Sequence, residues 1–221
     1  VLANGDSYSG GFEDGLKSGT GNIDWANGNK YEGEFSNDTL TGNGTYTYAD
    51  GASYTGSFVG GQRYGTGIFT YLDGSIYDGK WIDDQYSGTG TYTYPDGSVL
   101  EGTFHDGKFT GNGKYTYSDV NGTYILTLKD GEFTKDITAT LKNGDVYSGE
   151  YIDGSFSGKV SITYSNGDKY NGNVVKGLKS GDGVYTWSNG AKYDGKWKDD
   201  KMNGKGKYYY TFEADENDAT L

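Results

Sequence analysis

Cysteine is absent from the 221-residue chain, proline occurs once, at Pro95, and His105 is the single histidine. The first absence excludes a disulfide framework, a thiol nucleophile and any zinc site built on cysteine ligands. Methionine also occurs once, and alanine and leucine are sparse, so the residues from which a helical repeat is made are missing. Nor is there an apolar run long enough to span a bilayer. Positive charge is in deficit, with 19 Lys and Arg against 31 Asp and Glu for a net charge of −12. That balance speaks against a binder of duplex nucleic acid, whose affinity comes largely from neutralised phosphates, and against simple attraction to anionic lipid. The chain opens at Val1 within a turn-like Ala3-Asn-Gly-Asp-Ser7, without an initiator methionine or a signal peptide, and reads as a segment of something longer. Compartment stays open, with a lean toward an extracellular or cell-surface setting from the Tyr, Gly, Thr and Asn content.

What the chain does have is 40 glycines and 23 tyrosines, with aromatics at 16%. Disordered chains are poor in aromatics, whereas these recur at fixed intervals. A tyrosine opens each unit of 23 residues, at Tyr8, Tyr31, Tyr54 and Tyr77; Leu100 takes the fifth place, and after one inserted residue the series resumes at Tyr124, Tyr147, Tyr170 and Tyr193. These nine units predict an array rather than a globule. Each contains two runs of period-two alternation, such as Tyr31-Glu-Gly-Glu-Phe35 and Gly44-Thr-Tyr-Thr-Tyr48, with aromatics and glycine on one face and polar residues on the other. Asn27-Gly28, Asp50-Gly51, Asp73-Gly74, Asp96-Gly97, Asn143-Gly144, Asn166-Gly167 and Asn189-Gly190 supply the turn chemistry between units. The expected fold is all-β: an elongated single-layer antiparallel sheet of stacked hairpins, twisted and curved. Residues 1–212 form one array and 213–221 an acidic tail.

The recurring pattern Tyr-x-Gly-x-(Trp/Phe)-x-x-Gly-x-x-x-Gly-x-Gly, followed by Tyr-x-Tyr and a turn such as Ala49-Asp50-Gly51, resembles the MORN repeat, the membrane occupation and recognition nexus motif. The resemblance runs from Tyr8 to about Thr211. It is broken in the sixth unit, where Leu126, Lys135 and Ile137 stand at glycine positions and Ala139 and Leu141 replace larger residues; Val160 replaces a further glycine in the seventh. A bend, altered twist or distinct packing surface is therefore expected near residues 118–146. The resemblance implies a protein-interaction or assembly module, and the family name implies lipid association as an alternative.

Chemistry is sparse. His105 sits beside Asp106 in a loop and reads as a solvated turn residue rather than a general base. Paired acids such as Asp83-Asp84 and Asp199-Asp200 lack the spaced ligands of a calcium loop, and the Gly-x-Gly pairs lack the following helix and Lys-Ser/Thr of a phosphate loop. No enzyme activity, cofactor or metal is expected. The aromatic face remains: Tyr31, Phe35, Tyr54, Phe58, Tyr77 and Trp81 from the first strands, with Tyr46, Tyr48, Phe69, Tyr71, Tyr92 and Tyr94 from the second, are the expected lining of a binding groove. A one-layer sheet cannot cover all of them. The leading expectation is a scaffold that binds a protein partner there, with membrane lipid or a glycan as alternatives, no nucleic acid, and a homodimer through the terminal sheet edges.

Overall fold

The computed structural model describes residues 4–211, so the acidic segment 213–221 lies outside the described residues. Eighteen antiparallel strands, with no helix among the described residues, form one open sheet of hairpins that does not close into a barrel. The hairpins are β1 (Ser7–Glu13) with β2 (Leu16–Asp24), β3 (Lys30–Ser36) with β4 (Thr39–Thr47), β5 (Ser53–Val59) with β6 (Gln62–Thr70), β7 (Ile76–Ile82) with β8 (Gln85–Thr93), and β9 (Val99–His105) with β10 (Lys108–Ser118). Then follow β11 (Gly122–Lys129) with β12 (Glu132–Leu141), β13 (Val146–Ile152) with β14 (Ser155–Thr163), β15 (Lys169–Val175) with β16 (Leu178–Thr186), and β17 (Lys192–Lys198) with β18 (Lys201–Tyr209). Two compact bodies share these strands: one holds residues 4–116 with Leu128–Glu132, the other Tyr117–Thr127 and the described residues from Phe133 to Thr211. The division falls inside the stretch that departs from the repeat.

Two kinds of turn alternate. The tight turn inside a unit is closed by two residues that both have positive φ, as at Asp83 (48°) and Asp84 (66°), the backbone of a two-residue primed turn. Asp and Asn tolerate this conformation better than other side chains. The Asn-Gly and Asp-Gly pairs close a wider loop between units, in which Gly28 N–H donates to Trp25 O and Trp25 N–H to Asn29 O, both at 2.9 Å. There only the glycine has positive φ, 90° at Gly28. Five of the nine tight turns also use the dipeptides that signal such turns best: Asp14-Gly15, Asp106-Gly107, Asp130-Gly131 and Asp153-Gly154 are Asp-Gly, and Gly60-Gly61 is Gly-Gly.

Six of the eight unit tyrosines lie back across their own hairpin. Gly79 and Gly90 face each other across β7 and β8, and a Cβ built on Gly79 falls 2.6 Å from the Tyr77 hydroxyl and 2.7 Å from Gly90 Cα. Only a side-chain-free pair lets the ring rest on the backbone, and its hydroxyl then donates to the Lys80 carbonyl at 3.1 Å. Tyr8, Tyr31, Tyr54, Tyr170 and Tyr193 make the same bond to Gly11, Glu34, Ser57, Asn173 and Lys196. Where Leu100 replaces the tyrosine, Phe109 reaches over from β10, and its ring is what a Cβ on Gly102 or Gly113 would strike, at 2.7 Å in each case. Val160, opposite Gly149, fills the hollow in the seventh unit, and Tyr147 stacks on Phe156 instead, with centroids 5.3 Å apart.

Candidate functional site

The rings divide into two rows. In the first body, Phe12, Tyr8, Phe35, Tyr31, Phe58, Tyr54, Trp81, Tyr77 and Phe104 form an unbroken edge-to-face chain with centroid separations of 5.1–5.3 Å. Each unit tyrosine touches the aromatic of its own unit and that of the next, so the chain ties unit to unit. The expected groove residues Tyr31, Phe35, Tyr54, Phe58, Tyr77 and Trp81 all lie in this row and are closed from solvent, at 0–3% exposure. Burial pushes the hydroxyls of Tyr31, Tyr54 and Tyr77 up to about 12.

The second row runs Trp25, Tyr46, Tyr48, Phe69, Tyr71, Tyr92, Tyr94 and Tyr115, with neighbours 4.5–6.0 Å apart. Phe69 is buried, Tyr46, Tyr48, Tyr71 and Tyr92 are half-buried, and Tyr94 is exposed. Three rings of the row are oriented from behind by polar residues of the preceding unit. Asn29 donates to the Tyr46 hydroxyl at 2.8 Å, Tyr92 donates to Ser75 at 2.9 Å and Tyr115 to Ser98 at 3.0 Å. Ala52 stands at the equivalent place before Phe69, which has no hydroxyl to hold. In the second body Tyr185 donates to Asp168 at 2.6 Å. That bond holds the Asp168 carboxyl below the usual carboxylate range, and burial together with the same bond raises the tyrosine. The aromatic face therefore presents one closed row and one half-open row, so the accessible part of the expected groove is the second-row set.

A third class of residue went unread in the sequence. Position 10 packs on the unit tyrosine where Lys17, Arg63, Tyr86, Phe156 and Lys179 meet Tyr8, Tyr54, Tyr77, Tyr147 and Tyr170, and across six junctions the residue docked against position 10 from the next unit follows its chemistry. Lys17, Arg63 and Lys179 meet Asp38, Asp84 and Asp200 at 2.7, 2.8 and 3.2 Å. Leu40, Tyr86 and Phe156 meet Gly61, Gly107 and Gly177, which donate only a backbone N–H to the facing carbonyl. The cations are also caged by rings: Arg63 lies 4.5 Å from the Trp81 centroid and 5.2 Å from that of Phe69, and Lys179 lies within 5.7 Å of Tyr164, Tyr170, Tyr185 and Trp197. Burial works against the Lys179 charge, but Tyr164 and Asp200 hold its pKa above the ordinary lysine value. Hydrogen bonds from Lys17 likewise keep the Asp38 carboxyl low. A cation paired with an aspartate 21 residues later was the available signal.

Beside the Arg63–Asp84 clamp opens a hollow of about 230 Å³ lined by Arg63, Tyr71, Trp81, Asp84, Tyr86 and Asp106, among others. The Tyr86 hydroxyl is buried without a partner, because Gly107 offers it no carboxylate. Among the described residues no group of three or more His, Asp or Glu converges in a way that would hold a metal ion. Asp84 and Asp200 serve the clamps, and His105 is exposed with Nδ1 3.0 Å from Asp106.

The MORN repeat family model matches residues 8–30, 31–53, 54–76, 77–99, 101–119, 147–169, 170–192 and 193–211. The chain belongs to the MORN repeat family. The match leaves out residues 120–146, the unit in which three glycine positions and two aromatic positions are changed. A search of curated proteins finds no match. Among solved structures, this MORN chain is similar to the TCP10 domain of Danio rerio CPAP in complex with a peptide of Danio rerio STIL, at 15% identity and a TM-score of 0.41, covering 97% of this chain and 92% of that one. It is also similar to the SAS-4 (dCPAP) TCP domain of Drosophila melanogaster in complex with a proline-rich motif of Ana2, at 17% identity and a TM-score of 0.37, covering 79% and 81%. Likenesses this loose carry neither a partner nor a site to the MORN chain.

Proposed function

We propose that this MORN array is a non-catalytic scaffold whose half-open aromatic row, Tyr46, Tyr48, Tyr71, Tyr92 and Tyr94, anchors an extended segment of a protein partner. The observation that carries the reading is the division of the rings. The first row already forms a closed core that ties the units together; Tyr46, Tyr48, Tyr71 and Tyr92 pack against that core on one side and stay half-open on the other. Tyr46 and Tyr92 are held by hydroxyl bonds to the preceding unit, and rings pre-ordered in this way lower the entropic cost of binding. Tyrosine also combines a large apolar body with a polar tip, the combination favoured at protein interfaces.

Selection of a displayed library of random peptides on the protein tests the reading. Enriched peptides are expected to lose at least about tenfold in affinity against the variant Tyr48→Thr/Tyr71→Thr/Tyr94→Thr, whose three positions lie just past the ends of β4, β6 and β8 and leave the strands unchanged. Peptides that bind parent and variant alike, or a selection that enriches nothing, would contradict it. Retention on insoluble polysaccharide or on anionic vesicles that depends on the same tyrosines would transfer the row to a glycan or a lipid.

A further inference from the structure

The repeat supplies its own control for reading surface charge, because equivalent positions in nine units sit in equivalent places on the sheet. Positions 4, 6, 9, 13 and 15 fall on the polar face, opposite the rings. In the last unit all five are lysine: Lys196, Lys198, Lys201, Lys205 and Lys207. No other unit has more than two lysines there; the fifth has Lys108 and Lys114, and the first three have none. Position 17 changes with them. It carries Thr or Asp in the first eight units and Tyr209 in the ninth, and Lys192 of the same face lies 4.9 Å from the Tyr209 ring centroid. The aromatic face of the unit is meanwhile unaltered in type, with Tyr193, Gly195, Trp197, Gly206 and Tyr208 in their usual places.

This concentration works against the hairpin itself. Lys198 and Lys201 are directly opposite across β17 and β18, and like charges in that relation are unfavourable. Among the described residues Lys196 is paired, with Asp182 at 2.8 Å, while Lys198, Lys201, Lys205 and Lys207 have no carboxylate partner. We infer that the polar face of the β17–β18 hairpin is a second binding surface, independent of the aromatic row, and that it takes an acidic peptide segment in extended form. Side chains two apart on a strand, such as Lys205 and Lys207, lie about 6.6–6.8 Å from each other, the same spacing as alternate carboxylates along an extended peptide. The acidic balance of the whole chain favours a narrow ligand. A membrane or a duplex is broad enough to bring the acidic remainder of the sheet within its own negative field, whereas a single peptide strand laid along β18 meets Lys201, Lys205 and Lys207 and passes Asp194 of β17, which faces Lys207 across the hairpin.

The test is fluorescence anisotropy with a labelled dodecapeptide of alternating glutamate and threonine, using glutamine in place of glutamate as its neutral counterpart. The parent is expected to bind the acidic peptide, to ignore the neutral one, and to lose about tenfold or more between 50 and 300 mM salt. Lys205→Gln/Lys207→Gln should weaken binding by about five- to tenfold, while Lys108→Gln/Lys114→Gln leaves it unchanged. Because Glu213, Asp215, Glu216 and Asp218 have the same chemistry as the probe, a further variant carries them as the amides; it should bind at least as tightly as the parent. Absence of binding at 50 mM salt, equal losses in the two lysine pairs, or weaker binding by the amide variant would overturn the inference. So would retention on phosphatidylserine vesicles that exceeds peptide binding and depends on Lys205 and Lys207. The tyrosine variant that tests the aromatic row should bind the acidic peptide normally, so either surface can fail without the other.

Discussion

Arg63 and Asp84 stand 21 residues apart in adjacent units and are joined three ways: the Arg63 backbone N–H and its Nε both donate to one Asp84 carboxylate oxygen, at 3.0 and 2.8 Å, and a terminal guanidinium nitrogen donates to the Asp84 carbonyl at 3.0 Å. The carboxylate sits in a tight turn at φ 66°, and the guanidinium lies over Trp81. One residue of the next unit thereby selects the residue of this one.

The coupling predicts non-additivity in a double-mutant cycle. Asp84→Gly alone strands a half-buried guanidinium and should cost about 1–2 kcal/mol, whereas the same change in an Arg63→Leu background recreates the Leu40–Gly61 junction and should cost less than about 0.5 kcal/mol. Denaturant midpoints of the four proteins measure the difference, and additive effects would show that the two positions are not matched.

Glycines with different roles should fail differently. At Gly90 a Cβ falls 2.5 Å from the Tyr77 hydroxyl, and the ring has nowhere to go; Gly90→Ala should cost about 2–3 kcal/mol. Gly97 has positive φ but open space around it, so Gly97→Ala should cost about 1 kcal/mol. Equal costs in thermal or chemical unfolding would contradict the close approach of Tyr77.

Tyr86→Phe should stabilise the protein by about 1 kcal/mol and raise Tm by a few degrees, because it deletes a buried hydroxyl that has no hydrogen-bond partner. A lowered Tm would mean that the hydroxyl is satisfied in solution.

Alkaline titration should set the closed row apart from the exposed rings. Tyr31, Tyr54 and Tyr77 are raised to about 12 in the folded protein against an ordinary value near 10. The unfolded chain therefore loses these protons first as pH rises. Their stabilising contribution is intact below pH about 10, declines above it and is lost as pH passes about 12. Tyrosinate absorbance should show an early fraction from exposed rings and a late one that coincides with unfolding; a single transition near pH 10 would contradict burial of the first row.

Much of the fold was legible because its determinants are local and repeated. Alternation placed the strands, and the Tyr-x-Gly pattern already implied a ring lying on backbone, as Tyr77 does on Gly79 and Gly90. The division of the aromatic face into two rows was less legible. Tyr77 and Tyr92 are both tyrosines on one face, and only the ring packed over Tyr77 from the facing strand, Tyr86 at a centroid distance of 3.7 Å, distinguishes closed from open. Compensation across strands was hidden for the same reason: Leu100 looks like a lost tyrosine until Phe109 is seen in its place. The pairing of position 10 with an aspartate of the next unit is written in the sequence, but at a separation that reading each unit by itself does not compare.

The division into a closed and a half-open row is the central claim, and nitration of the folded protein with tetranitromethane, mapped by mass spectrometry, tests it most directly. Tyr46, Tyr48, Tyr71, Tyr92 and Tyr94 should be modified while Tyr31, Tyr54, Tyr77 and Tyr170 are spared until the chain is unfolded. Modification of both sets at similar rates under native conditions would contradict it.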